Sequence, residues 1–296
     1  MSKTPLFFVI KVVGVAVFVN TLLVRAAAGV SSSVATDHIM ASRIRLFDVE
    51  HKLLQPAAGN TIHLNNIKNA VITRPGGAPR VLIYITAACG ACHLYDLETR
   101  WPSSMRAAPL LVHAEILTYA GCKKNHGASR WAHALALLPN KNVSLAWSNH
   151  NPSKQEGASL AIVTALENGW FAGYDWIIRV NLDVVVKESA FLESKLLQAN
   201  TSAVLAICAY NQFNYVPTDF FASRPQEMAA VPWTTKGNAE RAATAVFKPA
   251  IDEGRAVTFD KKNGQTCRVR NMGIFHEHQL TPLQCASSLN SSATAV

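Results

Sequence analysis

The 296 residues are 49% hydrophobic and only 16% charged, which excludes a disordered or fibrous chain and leaves room for one good-sized domain plus appendages. A formal charge of +9 favours polyanionic or phosphorylated partners in a general way. No basic block interleaved with aromatics occurs, so nucleic acid is not an expected partner.

Pro5 to Val24 is almost wholly apolar, broken by Lys11 and Asn20 and flanked by Lys3 and Arg25. From Val12 to Val24 it reads as a signal-peptide core with Ala26, Ala27 and Ala28 as a small-residue cleavage site. From Pro5 to Val24 it is about long enough for an uncleaved signal-anchor, with Lys11 snorkelling at one end. Both readings place the rest of the chain in the secretory lumen: secreted, or held as a type II protein of the Golgi or ER membrane through residues 1–28. The N-x-S/T triplets at Asn142, Asn200 and Asn290 are compatible with that compartment. So is an even set of cysteines, Cys89, Cys92, Cys122, Cys208, Cys267 and Cys285, whose pairing is not legible.

Residues 29–79 are polar and irregular, with SSS at 31–33 and RPGGAPR at 74–80, and read as a stem. The folded domain is expected over 80–286 and a disordered tail over 287–296. Within the domain, 81–88, 112–121, 142–148 and 174–183 read as strands. Helical segments fall around 94–106, 127–138 and 153–170, and this alternation predicts a single α/β domain with a mostly parallel sheet and helices on both faces. Ser153 and Glu156 have capping-box spacing, Leu160, Val163, Leu166 and Trp170 recur on one face, and Gly169 can end that helix in a left-handed turn. Strands AVLAICAY and DFFAS and a helix near 237–254 follow.

The fourth strand raises a question, because the buried-looking run GYDWIIRVNLDVVV carries Arg179, Asn181 and Asp183. A buried carboxylate is costly unless paired or bound to a metal, and ligands of open α/β sheets bind at the carboxyl ends of strands. The order of these residues resembles the D-x-D signature of nucleotide-sugar glycosyltransferases with the GT-A fold. The longer string GASLAIVTALENGWFAGYDWIIRVNLDVVV is similar to a lineage of glycosyltransferases in microbial eukaryotes. The resemblance covers roughly residues 80–280. It implies a GT-A-like sheet, a nucleotide-sugar donor, a glycan or glycoprotein acceptor, and a divalent cation, manganese or magnesium, on Asp183. Asn181 departs from the signature, where an aspartate is common. An amide there can bond a ribose hydroxyl or a metal-bound water but lowers the negative charge for a cation, while Arg179 could steer the diphosphate or simply pair with Asp183.

The same resemblance implies a further metal ligand from NMGIFHEHQL, with His276 preferred and His278 the fallback. It places Lys154 or Gln155, at the first turn of the 153–170 helix, near the nucleotide. Asp219 and Glu240 fall on the acceptor side, where a carboxylate within reach of the acceptor hydroxyl serves as base; local sequence does not choose between them. The competing motif is C-x-x-C at Cys89 and Cys92, after a strand and before a helix, as in secreted thioredoxin-like thiol oxidoreductases. A structural disulfide is the simpler reading. A catalytically inactive GT-A-like binding protein is the remaining alternative, kept alive by Asn181.

Overall fold

The computed structural model describes residues 44–48, 79–88, 91–106, 108, 111, 113–121, 128–148, 150, 154–210, 213–260 and 273–276. Residues 1–40, and with them the leader or anchor reading of 1–28, lie outside the described residues. Among the described residues no helix is long and apolar enough to cross a membrane.

Apolar runs build the strands. In chain order these are β1 (Ile44–Asp48), β2 (Val81–Ala88), β3 (Glu115–Gly121), β4 (Val143–Ser148), β5 (Trp176–Asn181), β6 (Val184–Val186), β7 (Ala203–Tyr210), β8 (Phe213–Tyr215), β9 (Phe220–Ser223), β10 (Ala256–Asp260) and β11 (Ile274–His276). Helices α1 (Ala91–Thr99), α2 (Trp101–Arg106), α3 (Ala128–Ala136), α4 (Lys154–Glu167), α5 (Ala190–Leu196), α6 (Pro225–Ala229) and α7 (Ala239–Asp252) connect them.

The main sheet runs β1-β4-β3-β2-β5-β9-β7-β10, with β8 hanging from β7. β1 to β5 pair in parallel. β9 is antiparallel to both β5 and β7, and β10 returns parallel to β7. β2 is buried at every position but its last, as a central strand covered on both faces must be. β1 arises from the stretch read as stem and adds an edge strand beyond β4. The helices flank the sheet in two packed groups, α1 with α2 and α3, and α7 with α4 and α6. This is the single mixed α/β class with a mostly parallel sheet and flanking helices that the sequence leads one to expect.

Helix α4 ends as expected, with Gly169 at φ +66°. The Gly169 amide bonds Leu166 O at 3.1 Å and the Trp170 amide bonds Ala165 O at 3.0 Å, the paired closure of a Schellman turn. Its buried face is centred beside the expected run, of which Leu166 and Trp170 still pack against the core. Ala161, Ile162 and Ala165 are buried, whereas Leu160, Val163 and Leu166 are only half-buried. Small residues let the helix approach the sheet closely, and the Tyr84 hydroxyl of β2 donates to Ala161 O at 2.7 Å. A second, two-stranded sheet pairs β6 with β11 in antiparallel register.

Candidate active site

β5 points its polar residues to one face because alternate side chains of a strand share a side. Register sets Tyr84 of β2 beside Arg179 and Thr86 beside Asn181. Arg179 Nη2 donates to Thr86 Oγ1 at 2.8 Å, and the Thr86 hydroxyl donates to Asn181 Oδ1 at 2.9 Å. Asn181 Nδ2 donates to Asp219 Oδ1 at 2.8 Å, and its backbone amide donates to Asp219 O at 2.9 Å. The line Arg179, Thr86, Asn181, Asp219 therefore crosses the carboxyl end of the sheet. It also explains the amide at 181. An aspartate there would set a second acceptor against the Asp219 carboxylate, whereas the amide offers an acceptor to Thr86 and a donor to Asp219.

Arg179 is fully buried, and its Nε and Nη1 donate to no atom among the described residues. Burial lowers its pKa to about 10, while neighbouring Asp219, Tyr84 and Asp183 push back up, so the guanidinium stays charged at neutral pH. Glu240 stands half-buried in the first turn of α7, whose start is capped by Asn238 Oδ1 accepting from the amides of Glu240 and Arg241 at 2.9 and 3.0 Å. Burial lifts the Glu240 carboxyl above its ordinary range, the charge of Asp219 lifts it further, and a hydrogen bond with Asn238 opposes both. Asp219 and Glu240, which sequence could not rank, thus belong to one electrostatic group.

Asp183 occupies the turn between β5 and β6 and is 7% exposed. Helix α2 pins this turn, with Trp101 Nε1 donating to Leu182 O at 2.9 Å and Ser104 Oγ donating to Val186 O at 2.5 Å. The β6–β11 register sets His276 opposite Val184, the residue that follows Asp183. Two residues 93 positions apart in the chain, Asp183 and His276, are thereby brought to the same end of one ribbon. His278 lies outside the described residues.

Lys154 opens α4. Gln155 has a partner within the protein, since its Oε1 accepts from the Ala239 amide at 3.0 Å and so joins the starts of α4 and α7. Cys92 sits in the first turn of α1 and is disulfide-bonded; Cys89 lies outside the described residues. Among the described residues there is no cis peptide bond and no group of three or more His, Cys, Asp or Glu side chains placed for a metal.

Sequence reasoning missed two participants. Thr86 is the hinge of the hydrogen-bonded line, and a lone threonine near the end of the apolar run VLIYITAA is the faint signal for it. Asp96 of α1 is 7% exposed. Burial raises its pKa, the Arg100 hydrogen bond lowers it, and the charge of Asp183 raises it again, so it stands near the β5–β6 turn. The i,i+4 pair Asp96 and Arg100 was visible but reads as an ordinary helix ion pair.

No protein-family model matches the chain, and no curated protein matches it. Solved structures are similar to it over part of its length. The mannosyltransferase PcManGT from Pyrobaculum calidifontis, in complex with GDP-Man and Mn2+, is 15% identical with a TM-score of 0.46, covering 63% of this chain and 56% of that one. The bifunctional glycosyltransferase WbbM is 12% identical with a TM-score of 0.39, covering 63% and 40%. Mannosyl-3-phosphoglycerate synthase from Rubrobacter xylanophilus is 13% identical with a TM-score of 0.43, covering 65% and 69%. The chain thus spans about half the length of the first two.

Proposed function

We propose that this chain is a glycosyltransferase that moves a sugar from a nucleoside-diphosphate donor to a hydroxyl of a glycan or glycoprotein. The observation that carries the reading is the meeting, at the carboxyl end of β5, of Asp183 with the strand bearing His276 on one side and of Asp219 with Glu240 on the other. Glu240 takes the base role, because Asp219 Oδ1 already accepts from Asn181 at 2.8 Å while the Glu240 carboxyl is raised toward neutral pH. Glu240 removes the acceptor hydroxyl proton, the freed oxygen bonds to the anomeric carbon, and the bond to the diphosphate breaks with its electron pair. Asn181 and Arg179 hold Asp219 and the floor of the site in place, and Lys154 at the start of α4 sits where a helix N-terminus favours phosphate.

A divalent cation, manganese or magnesium, fits Asp183 and His276. A carboxylate and an imidazole are suitable donors, and such ions commonly take one or two protein ligands and complete their shell with substrate phosphates and water. Bound there it offsets the negative charge that develops on the departing diphosphate. The chain works in the secretory lumen, through a leader or a type II anchor in residues 1–28, and Asn142 and Asn200 are exposed, as glycan-bearing sequons must be.

Incubation of the purified lumenal domain with a panel of nucleotide sugars and Mn2+ tests the reading. Donor hydrolysis or transfer by the wild type, and its loss in Asp183→Ala, is expected. No turnover with any donor, together with no calorimetric binding of uridine or guanosine diphosphate, defeats it.

A further inference from the structure

The ribbon that brings His276 to Asp183 is short. β11 contributes Ile274, Phe275 and His276, paired with Val186, Val185 and Val184. β6 is fixed from the other side by α2 through Ser104, and the turn that precedes it through Trp101. β11 is fixed at its start, where the carbonyl of Gly273 accepts from the amides of Lys187 at 2.7 Å and Glu188 at 3.2 Å.

This approach excludes a side chain. Gly273 is buried and has φ +77°, a region that costs any residue with a Cβ. A Cβ built on it would lie 2.3 Å from Glu188 O, 2.5 Å from Glu188 Cβ and 2.9 Å from Glu188 Cα. Two of those atoms are main chain and cannot swing aside. A side chain at 273 therefore lifts β11 from Lys187 and Glu188, and a slip of one residue would bring Phe275, not His276, opposite Val184.

We propose that Gly273 is a positioning residue, a register lock that sets His276 beside Asp183 without touching cation or donor. The cation role of His276 belongs to the function proposed above; the lock itself rests only on the backbone geometry. Groups that orient metal ligands from outside the ligand shell typically change metal affinity by about 10–100-fold when lost, and Gly273 belongs with them.

Hydrogen exchange and Mn2+ titration by electron paramagnetic resonance on the full purified chain separate the two ideas. In the wild type the Lys187 and Glu188 amides exchange slowly, and in Gly273→Ala they lose protection while β2 and β5 keep theirs. Gly273→Ala raises the half-saturating Mn2+ concentration about tenfold, His276→Gln does the same, and the double variant is no worse than either. Unchanged exchange at 187 and 188 in Gly273→Ala overturns the lock. If His276→Gln leaves Mn2+ affinity unchanged while Gly273→Ala still loses protection, the lock stands and the cation role of His276 falls. Should Gly273→Ala fail to fold, the wild type decides: amides of Lys187 and Glu188 exchanging as fast as an open loop overturn the proposal.

Discussion

Two arginines, at opposite ends of the same strand pair, are treated in opposite ways. Arg80, at the entry to β2, is half-buried and fully engaged. Its Nε and Nη2 donate to Glu115 Oε1 at 3.0 and 2.7 Å, its Nη1 to Gly173 O at 3.4 Å, and its guanidinium lies 4.3 Å over the Tyr174 ring. The Tyr174 hydroxyl closes the group by donating to Glu115 Oε2 at 2.9 Å, and burial pushes its pKa up to about 12. Arg179 is fully buried and, among the described residues, makes one hydrogen bond, to Thr86. Hydrogen bonding with Glu115 raises the pKa of Arg80, whereas burial lowers that of Arg179 to about 10. The amino end of the sheet pairs its charged and polar groups with one another. The carboxyl end holds charges at a cost, and such tension gathers where chemistry is done.

If that division is right, the largest effect on turnover comes from the carboxyl end. Glu240→Gln is expected to lower kcat by about 10²–10⁴, while Glu115→Gln at the other end leaves it unchanged. In the wild type kcat/KM rises with pH through the raised pKa of Glu240, because the base must be ionised, and the Glu240→Gln profile loses that limb. Stability follows the opposite sign. A carboxyl raised in the folded state favours folding when protonated and loses that contribution as pH rises through its folded pKa. Glu240→Gln thus gains stability relative to wild type at alkaline pH and not at acid pH, as thermal melts at the two extremes will show.

Asn181→Asp sharpens the comparison from inside the network. The new carboxylate would meet Asp219 Oδ1 at the 2.8 Å position that Nδ2 now fills. Replacing a donor by a like-charged acceptor at a partly buried site is expected to cost about 1–3 kcal/mol at neutral pH. Repulsion raises the folded-state pKa of the introduced acid, so the deficit against wild type is greatest above that pKa. It shrinks as pH falls and the protonated acid again donates to Asp219. Urea denaturation at pH 7.5 and pH 4.5 measures both halves.

The hydrophobic pattern made the frame legible. Strand β2 was placed at 81–88, the end of α4 at Gly169, and the alternation implied a mostly parallel sheet. β9 was legible as a strand but not as antiparallel, since direction follows from how far the chain travels before returning, which DFFAS does not encode. On α4 the large residues Leu166 and Trp170 do pack against the core, but Ala161 and Ala165, which carry little hydrophobic signal, are buried more fully. At the site, Asn181 looked like a weakened aspartate. Only the fold reveals Asp219, 38 positions away, as the partner that makes an amide the better group. Thr86 and Gly273 were hidden for the same reason: each acts through a neighbour distant in sequence.

The arginines themselves complete the comparison, with opposite signatures. Arg179→Met removes a guanidinium whose burial, and whose two donors without a partner among the described residues, are unfavourable, and it forfeits attraction to Asp219 and Asp183 and one bond to Thr86. Relief of the guanidinium's own burial cost only partly offsets this, because removing one member of a buried charge group leaves Asp183 and Asp219 uncompensated, so a loss of about 1–3 kcal/mol is expected. Activity falls about tenfold, because Thr86 and Asn181 lose the group that anchors their line. Arg80→Met breaks a half-exposed ion pair, worth about 0.2–1 kcal/mol and weakened by salt, and leaves activity intact. Denaturant midpoints at low and high ionic strength, read beside kcat, distinguish these outcomes. If Arg80→Met impaired transfer while Arg179→Met did not, the assignment of structure to one end of the sheet and chemistry to the other would be reversed.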